Sequence, residues 1–128
     1  MARVHRRWFP RFAELYRPRT AAFIRTGMEV PDDELEPLRR QRDELGERLA
    51  STGVDVWLSP AATGPAPKGL TSTGDPAMNL PWTKAGMPTI TIPAGTVDGM
   101  PVGLQLSSAP GTDELLVAWA AAIQSAIA

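Results

Sequence analysis

The sequence predicts a layered α/β fold, and two observations support this prediction. Apolar residues recur at helical spacing over residues 1–53, whereas short runs with the alternation typical of strands appear from residue 54 onwards. The order after residue 54 is strand, loop, short helix, two strands and a final helix. A chain of 128 residues with 43% hydrophobic and 21% charged residues also has a globular composition. We therefore expect helices over 1–53 packed with a sheet and further helix from 54–128.

The first 30 residues are expected to form short helices. An apolar stripe at helical spacing comprises Trp8, Phe9, Phe12, Leu15 and Tyr16. Its helix should begin close to Pro10, because proline is tolerated only near a helix start. Pro18 breaks or restarts the helix, and a second short helix over 21–24 is expected to stop at Gly27.

A longer helix is predicted to follow. The acidic run after Pro31 is typical of a first helical turn, where carboxylates interact favourably with the helix dipole. One face of this helix stays apolar through Leu35, Leu38, Leu45 and Leu49. Arg42 interrupts the spacing that a coiled coil needs, so we expect a helix packed on a sheet that ends at Gly53.

The middle of the chain is expected to hold one strand and a long loop. Residues 54–58 are predicted to form a buried strand that ends at Pro60. The proline- and glycine-rich stretch 59–75 is expected to be a loop. Asp75 is expected to cap a short helix that is limited by Pro81.

The last third predicts a hairpin and a helix. Residues 89–92 and 102–106 have the pattern of strands, and Asp98-Gly99 between them is a typical hairpin turn. Thr112 is expected to cap the final helix. The predicted core face of that helix comprises Leu116, Trp119, Ile123 and Ile127.

Charge is unevenly distributed along the chain. Residues 1–25 contain seven arginines and one glutamate, whereas residues 26–55 contain nine acidic residues and four arginines. A basic start of this kind is found in mitochondrial transit peptides and in arms that bind nucleic acid. We favour a third interpretation, in which the arginines form a solvated helix face and pair with the acidic segment, so nucleic acid is not an expected partner.

Composition excludes several classes of site. The chain has no cysteine, which excludes disulfide scaffolds and thiol nucleophiles and suits a reducing compartment. A single histidine, His5, excludes a multi-histidine metal site and a Ser-His-Asp triad elsewhere in the chain. No apolar run approaches the roughly 18 residues that a membrane span requires. We therefore expect a cytoplasmic protein with no membrane partner.

Few residues suggest catalysis by themselves. Lys68 and Ser72 are the nearest approach to a nucleophile and base, but their loop offers nothing that would bury the lysine and keep it neutral. Trp57 is expected in the core, whereas Trp82 suits either the core or a pocket wall. Asn79 is expected to fix a loop, with substrate binding as the alternative.

A set of short motifs in the second half resembles the carboxy-terminal signature of the amidase signature family. The motifs are Asn79, Gly86-Met87-Pro88, Pro93-Ala94-Gly95 and the run from Gly99 to Leu106. The stretches 55–60 and 113–116 also fit, so the resemblance covers about residues 50–126. It implies part of an α/β/α layered enzyme with a mixed central sheet, and hence a single partial domain over 1–128.

The resemblance also implies a chemistry. Enzymes of this family hydrolyse or transfer amide groups through a Ser-Ser-Lys triad, and they use neither an organic cofactor nor a metal. Their lysine and their Gly-Ser-Ser-rich segment precede the signature found here. None of the 11 glycines in this chain is followed by serine, and Lys68 and Lys84 lie within the carboxy-terminal match. Ser107-Ser108 follows a strand, so no catalytic residue transfers to this chain.

The sequence therefore predicts a carboxy-terminal amidase fragment that is inactive alone. Its expected role is to contribute strands to a sheet and to wall off a small-molecule amide pocket. The candidate pocket residues are Met78, Asn79, Trp82 and Thr83. The alternative is a non-catalytic module that assembles with a separately encoded catalytic half or with itself.

Overall fold

The computed structural model describes residues 1–127 and divides them into two compact units, Met1–Gln41 and a second unit that begins at Arg42. The helices are α1 (Ala2–His5), α2 (Phe9–Phe12), α3 (Pro18–Glu29), α4 (Asp32–Ala50), α5 (Leu80–Ala85) and α6 (Asp113–Ile127). The strands are β1 (Trp57–Pro60), β2 (Thr89–Val97) and β3 (Met100–Ser107). Single 3₁₀ turns lie at Ala13–Leu15 and Pro76–Met78. Helices and one sheet agree with the predicted α/β class.

The first unit has a small core of its own. Phe9 from α2 is buried against Ala21 and Ile24 from α3, and the half-buried Tyr16 packs beside them. The His5 ring also takes part, because its Nδ1 lies 2.8 Å from the Tyr16 hydroxyl. The predicted pairing of basic and acidic segments is present, since Arg3 and Arg6 contact Asp32 at 2.7 and 3.5 Å.

The predicted apolar stripe over Trp8 to Tyr16 is correct at Phe9 and Tyr16, which pack in this core, but wrong at Trp8, Phe12 and Leu15, which are exposed. Phe12 has φ −135° and ψ 25°, which breaks the α-helix there and starts a 3₁₀ turn. Residues beyond that break leave the helical face on which the periodicity placed them. Leu15, beyond the break, is consequently 76% exposed, whereas Trp8 precedes the break, at the start of α2, and is 53% exposed.

The boundaries of α3 are set by two prolines. Pro18 occupies the first turn, where its missing N–H leaves no hydrogen bond unmade. The predicted stop at Gly27 is wrong, since the helix continues to Glu29. A Cβ on Gly27 would lie 2.8 Å from the Ala2 Cβ, so this glycine serves the close contact between α1 and α3. The helix ends because Val30 precedes Pro31 and is held extended.

The sheet of the second unit is antiparallel with the order β1-β3-β2. The predicted hairpin turn is confirmed: Asp98 and Gly99 have φ values of 51° and 76°, as the two central residues of a type I′ turn require. The register pairs Ile90 with Leu106 and Ile92 with Leu104. Because partners in a ladder point to the same face, these four side chains share one side of the sheet.

Helix α6 covers that side and completes the core. Leu116 and Ala120 are buried against Ile92 and Leu106, with half-buried neighbours around them. The predicted core face of α6 is correct at Leu116 and Ile123 but wrong at Ile127, which is 50% exposed. The Thr112 hydroxyl donates to the Ala109 carbonyl oxygen at 2.6 Å, so it faces back into the preceding turn.

Two predicted elements near prolines of this unit differ from the structure. Strand β1 ends at Pro60 as predicted but begins at Trp57 rather than Val54, and Pro60 is tolerated within it because β1 is an edge strand. Pro81 does not limit a helix but lies in the first turn of α5. The predicted cap is confirmed, since the Asp75 carboxylate accepts from the Ala77 N–H at 2.9 Å.

Candidate functional site

The face of the sheet opposite α6 is polar. Alternate residues of a strand point to opposite faces, so the neighbours of the core residues point away from α6. The register aligns them in two rows across β1, β3 and β2, namely Trp57, Ser107 and Thr89, and then Ser59, Gln105 and Thr91. We call these six residues the polar face.

Gln105 lies at the centre of the polar face. Its side chain is only 1% exposed, and its Nε2 donates to the carbonyl oxygen of Met78 at 3.3 Å. Burial of an amide without a partner is costly, so this hydrogen bond stabilises the packing of the 3₁₀ turn against the sheet. Because the acceptor is a backbone atom, the Met78 side chain is free for other contacts.

Helix α5 adds a second contact to the same face. The rings of Trp57 and Trp82 have their centroids 5.9 Å apart, at an interplanar angle of 43°. Such tilted aromatic pairs add to the stabilisation from buried area. Residues 76–85 therefore cover the polar face through a hydrogen bond at one end and an aromatic pair at the other.

Three buried atoms of the polar face have no hydrogen-bond partner within residues 1–127. They are Trp57 Nε1, Ser59 Oγ and Ser107 Oγ. A buried donor or acceptor that is left unpaired costs about 1–3 kcal/mol. The polar face thus holds hydrogen-bonding capacity that the described part of the chain does not use.

A large open groove borders this face. Its volume is about 1580 Å³. The wall is formed by residues 58–67, 72–76, Met78, Ala94, Val97 and 101–104. Proline, alanine and aliphatic side chains dominate the wall, and Asp75 is its one charged residue within 1–127. The groove therefore suits a ligand without charge.

Gly103 forms part of the groove wall at a position where there is no space for a side chain. A Cβ at this position would lie 2.5 Å from Thr91 Cγ2 and 3.2 Å from the Ala61 Cβ. Only glycine fits between these two side chains. The β3 backbone consequently contributes to the wall without a side chain of its own at this point.

The charged and nucleophilic side chains near the groove are engaged locally or exposed. The Ser72 hydroxyl accepts from the Gly74 N–H at 3.1 Å, in a turn of the loop. Lys68 and Lys84 are both exposed. Neither lysine makes a hydrogen bond to a serine hydroxyl in the described part of the chain.

Two of the four predicted pocket residues lie at the groove or the polar face, and the other two do not. Met78 lines the groove, and Trp82 packs on Trp57 at the polar face. Asn79, which precedes α5, and Thr83, within α5, are exposed and lie outside the groove wall. Their contact with a substrate stays a prediction.

Sequence reasoning missed Ser59, Gln105 and Ser107 as a group. One signal pointed to Gln105, because it is a polar residue between two leucines of a strand and so must face away from the core. The sequence pattern predicts a loop at Ser59, and the place of Ser59 beside Gln105 depends on the register between β1 and β3.

Neither a metal centre nor a membrane span is found within residues 1–127. No three His, Asp or Glu side chains of this range are close enough together to hold a metal ion. Across the same residues, the helices are all too short or too polar to cross a bilayer.

Comparison with known proteins places the chain in a family. A family model described as Amidase matches residues 29–117. One chain of the glutamyl-tRNA(Gln) amidotransferase of Dehalococcoides mccartyi is 49% identical over 49 residues, which are 38% of this chain and 10% of that protein. The 6-aminohexanoate-cyclic-dimer hydrolase of Paenarthrobacter ureafaciens is 31% identical over 94 residues, which are 73% of this chain and 18% of that protein.

A solved structure agrees with this placement. One described as the crystal structure of an amidase superposes with a TM-score of 0.87 at 26% identity, over 99% of this chain and 32% of that chain. The chain thus spans at most about a third of these three proteins. Since the family model matches well over half of its residues, this chain belongs to the amidase family.

Proposed function

We propose that the chain supplies a non-catalytic part of an amide-hydrolysing enzyme, namely strands of its sheet and one wall of its substrate pocket. The observation that supports this proposal is the contrast between the family of the chain and the positions of its lysines and serines. The chain belongs to the amidase family, yet neither of its lysines makes a hydrogen bond to a serine hydroxyl in the described residues. The nucleophile and its base then come from residues outside this sequence.

Amide hydrolysis by a serine requires a base next to the hydroxyl, and the described residues do not provide one. A serine hydroxyl attacks an amide carbonyl only when a base within hydrogen-bond reach removes its proton. A lysine acts as such a base when burial keeps it neutral, whereas Lys68 and Lys84 are exposed to solvent. Ser108 is buried with its hydroxyl 2.8 Å from that of Thr112, which provides no base. We therefore expect no amide turnover by the chain alone.

The pocket wall is the second part of the proposal. Met78, Asn79, Trp82 and Thr83 lie on one short segment that covers the polar face. We assign this segment to the pocket because Met78 already lines the groove, and a small-molecule amide is the proposed ligand. The hydrolase relative named for 6-aminohexanoate cyclic dimer suggests a neutral amide with methylene chains.

Assembly with a separate catalytic chain is the second candidate function. Leu58 is 56% exposed although its register partner Leu106 is fully buried, so the core face of the sheet is uncovered at β1. One relative is itself a subunit of an amidotransferase, which is consistent with assembly. Self-association would cover the same surface. A cytoplasmic location also remains part of the proposal, supported by the cysteine-free sequence.

An ammonia-release assay tests the proposal. The purified 128-residue chain is incubated with aliphatic amides, and the Ser72→Ala and Ser107→Ala variants serve as matched controls. We expect the wild-type chain to match the protein-free blank. Turnover above the blank that is lost in one serine variant would overturn the proposal.

The DNA upstream of Met1 distinguishes the two sources of the catalytic residues. A continuous reading frame that encodes a lysine and a Gly-Ser-Ser-rich stretch would place them on the same polypeptide. A stop codon or frameshift close to Met1 would favour a separate partner chain. In that case light scattering should show assembly or self-association, and a monodisperse monomer with cooperative unfolding would contradict it.

A further inference from the structure

The three polar-face atoms that lack a hydrogen-bond partner in the described chain belong to neighbouring side chains. Trp57 and Ser107 are register partners on β1 and β3, and side chains at partner positions have Cβ atoms about 4.5–5.5 Å apart. Ser59 is the diagonal neighbour of Ser107 on the same face, because its own register partner is Gln105. Trp57 Nε1, Ser59 Oγ and Ser107 Oγ therefore form one cluster of hydrogen-bonding groups.

The register also explains why the two serines of the cluster do not pair with each other. Diagonal neighbours on adjacent strands have Cα atoms about 7–8 Å apart, whereas a direct O–H···O hydrogen bond needs oxygens about 2.8 Å apart. A small molecule that hydrogen-bonds on two sides joins oxygens up to about 5.6 Å apart. The spacing of Ser59 and Ser107 therefore suits a bridge between them rather than a direct contact.

The enclosure of the cluster limits the size of that bridge. Ser107 is completely buried, and the unpaired atoms of Trp57 and Ser59 are also shielded from solvent. All three atoms lie on the face that residues 76–85 cover. A ligand in the open groove cannot reach them, and a side chain from a longer polypeptide would reach them only if this segment moved. The bridge must therefore be small enough to be enclosed between the segment and the sheet.

The chemistry of the cluster indicates what the bridge is. The six residues of the polar face are uncharged, so an ion would lose its hydration there without gaining an opposite charge. The Trp57 indole N–H only donates, whereas each serine hydroxyl both donates and accepts. A water molecule matches this set, because its oxygen accepts from the indole and its two hydrogens are donated to the two serine oxygens. Buried waters typically make about three hydrogen bonds, to groups that are otherwise unpaired.

We propose that the polar face binds one structural water molecule through Trp57 Nε1, Ser59 Oγ and Ser107 Oγ. This water joins β1 to β3 and fixes the Trp57 ring, which packs on Trp82 of α5. It therefore stabilises the segment that carries the candidate pocket residues. The inference goes beyond the proposed function and does not depend on it, since all three partners belong to the sheet.

The melting temperature of Ser107→Ala distinguishes a water-bound hydroxyl from an unpaired one. Alanine removes a hydroxyl whose burial without a partner is unfavourable, so the melting temperature should rise if no water is bound. With the water bound, alanine removes one of its hydrogen bonds, and we expect a fall of about 3–6 °C. Ser59→Ala should act in the same direction. Ser125→Ala is the matched control and should cause no fall, because Ser125 is exposed on α6.

A high-resolution crystal structure of the chain and NMR spectroscopy locate the water directly. We expect ordered water within about 3.2 Å of all three atoms. In solution, a rotating-frame NOE should connect water to the Trp57 indole N–H, with the sign that separates bound water from proton exchange. Trp57→Phe identifies this resonance among those of the four tryptophans. The NOE should be lost in the Ser59→Ala/Ser107→Ala double variant and retained in Ser125→Ala.

Three results would overturn the proposal. They are a rise in the melting temperature of Ser107→Ala, a crystal structure in which Ser59 and Ser107 hydrogen-bond directly or the three atoms have no water, and the lack of an NOE from water to the Trp57 indole N–H.

Discussion

The side-chain amide of Gln105 donates to the backbone carbonyl oxygen of Met78 across 27 residues of sequence, and it does so from a fully enclosed position in β3. This hydrogen bond links the sheet to the 3₁₀ turn that begins the segment over the polar face. It connects the part of the molecule that folds as a hairpin to the part that carries the predicted pocket residues.

Gln105→Leu tests the strength of that link. Leucine has a similar size but cannot donate, so the Met78 carbonyl oxygen loses its hydrogen-bond partner. We expect the free energy of unfolding to fall by about 1–3 kcal/mol in urea denaturation. Gln124→Leu on the exposed surface of α6 is the matched control, with an expected change within about 0.5 kcal/mol. Equal changes in the two variants would contradict the link.

Gly103→Ala should reveal the close approach between β3 and β2. The new Cβ would lie 2.5 Å from Thr91 Cγ2, so the strands must shift. We expect a loss of about 1–3 kcal/mol in the free energy of unfolding. Thr91→Ser removes the clashing methyl group and should recover most of that loss in the double variant. A loss that is the same with and without Thr91→Ser would show that the contact is not responsible.

Leu106→Ala tests the position of the core. Leu106 is fully buried between β2 and α6, and its truncation should lower the free energy of unfolding by about 2–5 kcal/mol. Leu58→Ala on the paired strand should change it by no more than about 0.5 kcal/mol, because Leu58 is 56% exposed. If Leu58→Ala proves as destabilising as Leu106→Ala, a covered β1 is indicated, as in an assembled state.

Asp32 gives the first unit a dependence on pH. The hydrogen bond and charge of Arg3, with a smaller contribution from Arg6, lower the pKa of Asp32 below its ordinary value of 3.8. A lowered folded-state pKa means that the ion pair stabilises the unit above the ordinary pKa. That contribution is lost as the pH falls through the lowered folded-state pKa.

NMR titration of the Asp32 carboxyl checks this prediction. We expect a pKa below 3.8 that rises towards the ordinary value in Arg3→Gln and in high salt, since the pair is exposed and easily screened. A pKa that Arg3→Gln leaves unchanged would contradict the assigned cause.

The local features of the second unit were predictable from sequence. Asp98-Gly99 requires positive φ at both positions, which few residue pairs tolerate, so the hairpin followed from two residues. The Asp75 cap and the amidase motifs were equally local. Each depends on the chemistry of neighbouring residues and not on the path of the distant chain.

The polar face and the groove depend on long-range pairing. Ser59 meets Gln105 only through the register of β1 on β3, and a shift of β1 by one residue would turn Ser59 to the face opposite Gln105. The predicted stripe fails at Leu15 for a related reason, because the break at Phe12 redirects the chain after it. A prediction from apolar periodicity treats the segment as one continuous helix. The sequence around Phe12 contains no residue that indicates a helix break.

Labelling with a serine-reactive fluorophosphonate tests the central claim most directly. The reagent forms a covalent adduct with a serine that is activated as a nucleophile, and intact-mass spectrometry detects the adduct without any assumption about the substrate. The chain contains six serines, none of which is expected to be activated. We predict an unchanged mass after incubation. A stoichiometric adduct on one serine of the folded chain would contradict the claim that its catalytic residues lie elsewhere.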